Sequence, residues 1–358
     1  MWRKLAWLRS LSIIVGVTLL LDFSITTIVS RAFLDALIPL GFQDEENYRL
    51  DVPWHHELRA NLRTQRRWGP FEYPFATDEH GFRTGECAGR EPAKERDNTV
   101  FVVGDSFAEG LGVPFEESFA GLLACAYRTQ GMVVRNLGTL SYSPVIYHRK
   151  IAESARRLGL TPREIVVFLD ISDIHNDARD YREVGDSVVS DTTPLGRRLA
   201  DFLKRHFSTF ALLSRLRLLM RADEVVLPVS TLADWTTERD KLDSWGRAGL
   251  AANERNLGKI VDQCQAWKCR VTLVVYPWPK QILRGDLDSL QVTHWRAWSA
   301  ARGIGFIDAF PPFFILPADV TLERYFLSGD VHLNARGNRL VFDTVWPELV
   351  RRDDRGGR

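Results

Sequence analysis

Short apolar, β-branched runs alternate with amphipathic stretches from about residue 100 onward. This alternation is typical of a parallel sheet whose strands are joined by crossover helices. The apolar runs predict strands at Val100–Val103, Val133–Asn136, Ile165–Leu169, Val271–Tyr276 and Gly305–Ile307. The amphipathic stretches predict helices near Ser118–Gln130, Val145–Leu158, Ala251–Ala266, Asp288–Ala301 and Ala335–Arg351. We therefore expect an α/β fold built on a five-stranded parallel sheet.

The N-terminus carries one long apolar run, Leu11–Val29, with basic residues on both sides. About 20 helical residues rise roughly 30 Å and cross a bilayer, and basic residues before the run favour an inside N-terminus. We expect residues 1–42 to be a single-pass anchor in the cytoplasmic membrane with its flank, and the main domain to face the periplasm or exterior. A signal peptide cleaved near residues 30–32 is one alternative. A buried soluble helix is the other.

Residues 43–97 are polar and show no clear periodicity, which predicts a stalk and loops leading into the domain. Residues 98–358 then form the main domain, interrupted by a helical insertion at about 178–247. Within the insertion, Leu199–Phe207 and Phe210–Met220 have the pattern of amphipathic helices. We expect these two helices to cover one end of the sheet as a solvated cap, with a contact to the membrane surface as the alternative.

Composition narrows the function. The 47 basic and 46 acidic residues leave a net charge of +1, which argues against a nucleic-acid partner because binding phosphates needs a basic surplus. Four cysteines are compatible with two disulfides in an oxidising compartment, or with free buried thiols. Their spacing matches no zinc site, and we find no nucleotide-binding loop or metal cluster. We expect neither a cofactor nor a metal.

A serine follows the first predicted strand of the sheet. The strand Val100–Val103 ends in Gly104, and Asp105 and Ser106 follow in the turn before a helix. This position lifts Ser106 to the carboxyl edge of the sheet, where active sites of open α/β sheets form. The amides of the next helix can hold a developing oxyanion there. The same three letters at Gly185–Ser187 have no predicted strand before them and are interpreted as a loop.

A nucleophilic serine needs a base, and the base needs an orienting carboxylate. Of the eight histidines, His332 has the suitable setting, in a loop just ahead of the last helix. Asp330 lies two residues before it and can hold one imidazole tautomer, which leaves the other nitrogen for Ser106. His80, His148 and His175 are not favoured as catalytic groups.

These motifs resemble the SGNH/GDSL hydrolase superfamily, which has a three-layer α/β/α, flavodoxin-like fold. Gly104–Phe107 is similar to its first block, Asn136–Gly138 to its second, and Asp330–His332 to its last. The resemblance spans roughly 98–350. It implies a Ser106–His332–Asp330 triad and an oxyanion hole that includes the backbone amides of Ser106 and Gly138.

Two departures from the family pattern bear on function. The third block of the family reads Gly-x-Asn-Asp, and here the corresponding residues are 170–173, with Ser172 in place of the asparagine. We expect the Ser172 hydroxyl to act as a third oxyanion donor. The second departure is Asp-x-His instead of Asp-x-x-His. That spacing resembles the polysaccharide O-acetyltransferases related to alginate modification, which shifts weight toward glycan acyl chemistry.

The resemblance implies a serine acyl esterase that acts on O-acyl esters, acetyl esters above all, of cell-surface or exported glycans or of small molecules. A periplasmic polysaccharide O-acetyltransferase, served by a membrane protein that donates the acyl group, is the first alternative. A lysophospholipase is the second. A non-catalytic glycan-binding protein is the third, and the substitution at Ser172 favours it.

Overall fold

The computed structural model describes Val17, Asp22 and residues 47–87, 98–190 and 231–356. The chain divides into two units, and the elements below belong to the unit formed by 43–192 and 226–358. The predicted anchor at Leu11–Val29, apart from Val17 and Asp22, and the predicted helices at Leu199–Phe207 and Phe210–Met220 lie outside the described residues. Within the described ranges, no helix is long and apolar enough to cross a membrane.

The strands fall into one parallel sheet and several short antiparallel pairs. In chain order the described strands are β1 (Tyr48–Arg49), β2 (Glu57–Leu58), β3 (Arg63–Trp68), β4 (Phe71–Ala76), β5 (Thr99–Val103), β6 (Val133–Asn136), β7 (Glu164–Phe168), β8 (Tyr181–Val184), β9 (Ser187–Ser190), β10 (Arg270–Val275) and β11 (Gly305–Asp308).

The helices mostly follow strands of the parallel sheet. They are α1 (Ser106–Glu109), α2 (Phe119–Thr129), α3 (Pro144–Leu158), α4 (Asp173–His175), α5 (Arg239–Lys241), α6 (Arg247–Trp267), α7 (Pro279–Leu283), α8 (Leu290–Arg302), α9 (Ala318–Tyr325) and α10 (Ala335–Gly356). Short 3-10 segments occupy Phe115–Glu117, Thr231–Thr236 and Pro311–Phe314, and π-helical turns occupy Asn176–Asp180 and Leu242–Gly246.

The parallel sheet has the strand order β6-β5-β7-β10-β11. Every residue of β5 and of β7 is buried, as expected for strands covered by helices on both faces. Helix α2 packs against α10, and α3 packs against α6. The five predicted strands and the five long predicted helices are confirmed, each within a few residues, and so is the α/β fold with its five-stranded parallel sheet.

The order of the strands places the site. The chain moves from β5 to the edge strand β6 and then returns to the other side of β5 with β7. Connections therefore leave β5 and β7 in opposite directions, which opens a crevice at their carboxyl ends. Ser106 begins α1 at this crevice.

Residues 47–87 contain two antiparallel pairs, β1 with β2 and β3 with β4. This segment falls within the range 43–97 that the sequence predicts as a stalk with loops. The hairpin β3–β4 turns at Gly69, whose φ of 56° is the left-handed conformation that glycine adopts readily. Its buried aromatic residues form a second, smaller core with Leu111 and Leu327. The domain boundaries at 43, 98 and 178–247 themselves stay predictions.

Both pairs of cysteines are joined. Cys87 is bonded to Cys125 on α2, and Cys264 near the end of α6 is bonded to Cys269 just before β10. The first bridge ties the N-terminal segment to a helix of the main sheet. The sequence left disulfides and free thiols open, and no cysteine in the described part of the chain is free.

Candidate active site

Ser106 sits at the first position of α1, directly after β5. Asp105 caps this helix, since its carboxylate accepts the Phe107 amide proton at 2.9 Å. The turn needs a glycine at 104, because a Cβ there would lie 2.7 Å from the Ala108 Cβ and 2.9 Å from the Phe168 carbonyl oxygen. Ser106 is thereby fixed at the edge of the sheet with 6% of its surface exposed.

His332 and Asp330 lie in the loop between α9 and α10. The loop is held by backbone hydrogen bonds from Leu327 to His332 and from Asp330 back to Leu327. Asp330 Oδ1 accepts both the His332 amide proton at 2.9 Å and the Nδ1 proton at 2.5 Å. His332 Nε2 is 2.8 Å from Ser106 Oγ. The structure therefore brings the three predicted catalytic residues into one hydrogen-bonded line.

This line specifies the imidazole tautomer. An ionised carboxylate accepts protons only, so Nδ1 carries the hydrogen and Nε2 is left as the acceptor for the Ser106 hydroxyl. Burial alone would raise the pKa of Asp330, but the charge and hydrogen bonds of His332, with a further hydrogen bond from Trp68, lower it to about 2. Asp330 is thus ionised at neutral pH, as an orienting carboxylate must be.

Ser106 Oγ has a second neighbour, Asp105 Oδ2, at 3.2 Å. Burial raises the pKa of Asp105 well above its ordinary value, and the negative charge of nearby Asp170 raises it further. Burial also raises the pKa of Asp170. A raised pKa shifts Asp105 toward its neutral form, and a neutral carboxyl accepts a proton less readily than a carboxylate. His332 Nε2 is also the nearer acceptor for the Ser106 proton, at 2.8 Å against 3.2 Å for Asp105 Oδ2.

Two of the predicted oxyanion donors have hydrogen-bond partners within the protein. The Gly138 amide donates to Asn136 Oδ1 at 3.0 Å, and the Ser172 hydroxyl donates to Asp170 Oδ1 at 2.6 Å. A hydroxyl has one proton to donate, and in this arrangement Asp170 accepts the proton of Ser172. Its expected role as an oxyanion donor stays a prediction. The part played by the Ser106 and Gly138 amides stays a prediction.

Gly138 nonetheless has a steric role that the structure shows. A Cβ at this position would lie 2.7 Å from the Ala108 Cβ and 2.7 Å from the Glu109 amide nitrogen. These contacts are shorter than any real side chain tolerates, so the loop after β6 approaches α1 this closely because residue 138 is glycine. The second block thus keeps this loop beside the helix that begins with Ser106.

Two groups at the site were missed from the sequence. Trp68 on β3 donates its indole N–H to Asp330 Oδ2 at 2.9 Å. Arg66 on the same strand forms an ion pair with Glu109 on α1, with Nη1 and Oε1 at 2.5 Å and both side chains buried. No local sequence motif predicts either contact, because the partners are far apart in the chain: Trp68 is 262 positions from Asp330. The sequence does contain one indication that Arg66 and Trp68 act together: they are two positions apart, and alternate residues share one face of a strand.

The three histidines that the sequence does not favour as catalytic groups lie away from Ser106. His80 is 3.5 Å from Glu79, His148 contacts the Val145 carbonyl and His175 is 3.1 Å from Asp180. None of these contacts involves Ser106. The second Gly-Asp-Ser, expected as a loop with no strand before it, instead follows strand β8: Gly185 is in the turn of the β8–β9 hairpin and Ser187 begins β9. Ser187 therefore begins a strand, whereas Ser106 begins a helix, and Ser106 stays the nucleophile candidate.

A histidine pair, of which His56 is buried and His55 partly buried, supports the loop that contains Gly138. His56 Nε2 donates to the Leu140 carbonyl at 2.7 Å, because a carbonyl can only accept, and His56 Nδ1 then accepts from His55 Nδ1 at 2.7 Å. Burial, followed by the charge of His55, lowers the pKa of His56 to about 3. The geometry therefore needs a neutral His56.

This pair gives a pH-dependent stability. His56 stays neutral in the folded chain down to about pH 3, whereas an unfolded histidine takes up a proton near pH 6.5. The unfolded state binds more protons in this window, so the free energy of unfolding falls as pH drops from 6.5 toward 3. The His56 contribution changes the free energy of unfolding by up to about 1.4 kcal/mol per pH unit, and we expect this pH dependence to vanish in His56→Gln. Urea unfolding of both chains across the window measures it, and parallel stability curves would refute it.

Similarity to known proteins is found in comparisons of structure and not in comparisons of sequence. No family model and no curated protein sequence matches the chain. The chain is similar to the crystal structure of a member of the lipolytic protein G-D-S-L family from Veillonella parvula, at 16% identity over 70% of this chain and 96% of that chain, with a TM-score of 0.38. It is similar to a psychrotrophic esterase from Pseudoalteromonas sp., at 14% identity over 72% and 100%, TM-score 0.38. A catalytic mutant of an acetylxylan esterase from Geobacillus stearothermophilus gives 12% identity over 70% and 93%, TM-score 0.39.

Proposed function

We propose that the chain is a serine acyl esterase that acts on short O-acyl esters. One observation carries the proposal: Ser106 Oγ, the two nitrogens of His332 and Asp330 Oδ1 form a continuous hydrogen-bonded line with the base in the required tautomer. Nucleophile, base and orienting carboxylate within hydrogen-bond reach of one another are the recognisable signature of nucleophilic acyl chemistry. It occurs here at the carboxyl edge of a parallel sheet, where such sites form.

The first half of the reaction makes an acyl-enzyme. Ser106 Oγ attacks the ester carbonyl carbon while its proton passes to His332 Nε2, and the carbonyl oxygen becomes an oxyanion. Asp330, ionised beside Nδ1, stabilises the imidazolium that forms. The tetrahedral intermediate then collapses: the bond to the alcohol oxygen breaks, and the departing alcohol takes the proton from Nε2. The acyl group remains on Ser106.

The second half of the reaction regenerates the free enzyme. Water gives a proton to His332 Nε2 and its oxygen bonds to the acyl carbon. The second tetrahedral intermediate expels Ser106 Oγ, which recovers the proton from Nε2. The products are one carboxylic acid and one alcohol. No redox step and no cofactor enter this balance.

Burial of the reacting atoms supports a small acyl group. Ser106 and His332 each expose 6% of their surface, so little free surface surrounds the reacting atoms. An acetyl group adds one methyl beyond the carbonyl, whereas each further methylene needs additional apolar space. We therefore propose acetyl esters as the preferred substrates, with O-acetylated glycans as the class that the Asp-x-His spacing favours.

Acyl transfer is the second candidate, favoured by the same Asp-x-His spacing. A sugar hydroxyl would replace water in the second half of the reaction, giving an O-acetylated glycan with a membrane protein as the source of the acyl group. We also propose that Leu11–Val29 anchors the chain in the cytoplasmic membrane with the site on the periplasmic side. The chemistry at Ser106 is the same for hydrolysis and transfer.

The test is turnover by the purified full chain in mild detergent. With 4-nitrophenyl acetate we expect release of 4-nitrophenolate, with kcat/KM at least about tenfold above that for the decanoate. Adding an oligosaccharide acceptor separates the two candidates, since hydrolysis yields acetate and transfer yields acetylated oligosaccharide. A chain with native circular dichroism that turns over no ester would refute the proposal. A preference for the decanoate would refute the small acyl group and favour a lysophospholipase.

A further inference from the structure

Strand β3 touches both halves of the candidate site. We infer that Trp68 is a positioning residue for the base, and that β3, which carries it, sets the spacing between Ser106 and His332. This inference rests on the proposed function, because it assigns β3 a role in that same site. It concerns a segment that the sequence predicts as a stalk with loops.

The first contact is to the orienting carboxylate. Asp330 Oδ1 is occupied by the amide and Nδ1 of His332, and Oδ2 accepts the Trp68 indole proton at 2.9 Å. A carboxylate with a partner on one oxygen alone can rotate about its last bond. The Asp330 side chain is 28% exposed, so water would otherwise compete for Oδ2. The indole N–H fixes the plane of the carboxylate and with it the direction of the Nδ1 hydrogen bond.

The second contact is to the imidazole itself. The rings of Trp68 and His332 form a T-shaped contact, with centroids 5.1 Å apart and planes at 83°. Phe107 lies against the same imidazole, at 4.7 Å and 32°. Aromatic neighbours at these separations restrict rotation of the ring between them. Trp68 therefore acts on both members of the Asp330–His332 pair.

The same face of β3 also contacts the helix that carries the nucleophile. Arg66 and Trp68 are both buried and lie two positions apart, so they share one face of the strand. Arg66 pairs with Glu109 at 2.5 Å, and Glu109 is three residues from Ser106 on α1. Glu109 Oε2 in turn accepts the Leu140 amide at 2.6 Å, which fixes the loop containing Gly138.

One rigid strand thus contacts the Ser106 helix through Arg66 and the His332 loop through Trp68. Ser106 and His332 are 226 positions apart in the chain, and their 2.8 Å hydrogen bond needs both elements held to a common reference. A displacement of about 1 Å between reacting groups costs large factors in rate. Strand β3 supplies this reference from outside the parallel sheet.

A double-mutant cycle tests the role of Trp68 in the full chain. In Trp68→Phe, which keeps a ring and removes the N–H, we expect kcat for 4-nitrophenyl acetate to fall about tenfold with KM unchanged. In Asp330→Ala, adding Trp68→Phe should change kcat no further, because the group it positions is gone. The control is Trp54→Phe, in the same segment, whose ring faces Lys150 and Arg157 instead of the site. It should match wild type.

A spectroscopic readout separates this inference from the proposed function. The His332 Nδ1 proton, hydrogen-bonded to Asp330, should give a low-field proton resonance in the wild type that weakens through faster exchange in Trp68→Phe and persists in Trp54→Phe. Absence of turnover by the wild type would defeat the proposed function, and the resonance would still decide the positioning role. Equal kcat and equal resonance in the two tryptophan variants, or additive losses in the cycle, would overturn the inference.

Discussion

Replacing Ser106 with alanine is expected to lower kcat/KM for 4-nitrophenyl acetate by about 10³–10⁶-fold, to the level left by binding alone. The change removes one oxygen, the only atom of the line that bonds to the acyl carbon. His332 then has no hydroxyl at 2.8 Å to deprotonate. KM and the circular dichroism spectrum should stay near wild-type values. Steady-state kinetics of the purified variant measures the loss.

The chain contains a matched control for this substitution. Gly185-Asp186-Ser187 repeats the three residues at 104–106, but Ser187 begins strand β9 of a surface hairpin instead of a helix. Ser187→Ala should therefore keep wild-type kcat/KM. If Ser106→Ala keeps more than about a tenth of wild-type activity while Ser187→Ala loses it, the nucleophile has been wrongly assigned.

The second large effect concerns stability. Glu109→Ala is expected to lower the free energy of unfolding by about 3–5 kcal/mol, because it leaves the buried Arg66 guanidinium without its countercharge. The pair is almost wholly inaccessible, at 1% and 0% exposure. Glu109 also accepts the Tyr48 hydroxyl and the Leu140 amide, so three donors lose an acceptor together. Urea unfolding followed by tryptophan fluorescence measures the change.

An exposed ion pair in the same hairpin provides the comparison. Arg67 and Glu72 are 3.4 Å apart with side chains 49% and 55% exposed, so water screens them and Glu72→Ala should cost less than about 1 kcal/mol. Glu109→Gln, which keeps the shape and one carbonyl acceptor, should fall between the two. Equal destabilisation by Glu109→Ala and Glu72→Ala would show that the buried pair does not fasten β3 to α1.

The main sheet could be predicted because its signals are local. Strands such as β5 and β7 are continuous apolar runs, since helices cover both faces, and such runs stand out against the amphipathic helices between them. The Ser106 turn and the His332 loop were predictable for a related reason. Each is a short motif whose position beside a strand or helix limits what the side chains can reach.

The N-terminal hairpin could not be predicted in the same way. Strand β3 reads Arg-Thr-Gln-Arg-Arg-Trp, and its buried face carries Arg66, a charged residue that a pattern of apolar positions does not detect. Arg66 is tolerated inside because Glu109, 43 positions away, neutralises it. Likewise, the engagement of Ser172 by Asp170 depends on a buried carboxylate whose environment the sequence does not reveal. These contacts exist only once the fold has assembled.

The most direct test of the central claim is a covalent label on the nucleophile. The full chain is incubated with an alkyl fluorophosphonate, which loses fluoride as the attacking serine oxygen bonds to phosphorus. Mass spectrometry then gives the mass of the intact protein and identifies the labelled peptide. A Ser106 activated by His332 should give one adduct per chain, on the peptide that contains Ser106, and none in Ser106→Ala. An unlabelled wild-type chain, or an adduct on a different serine, would contradict the assignment.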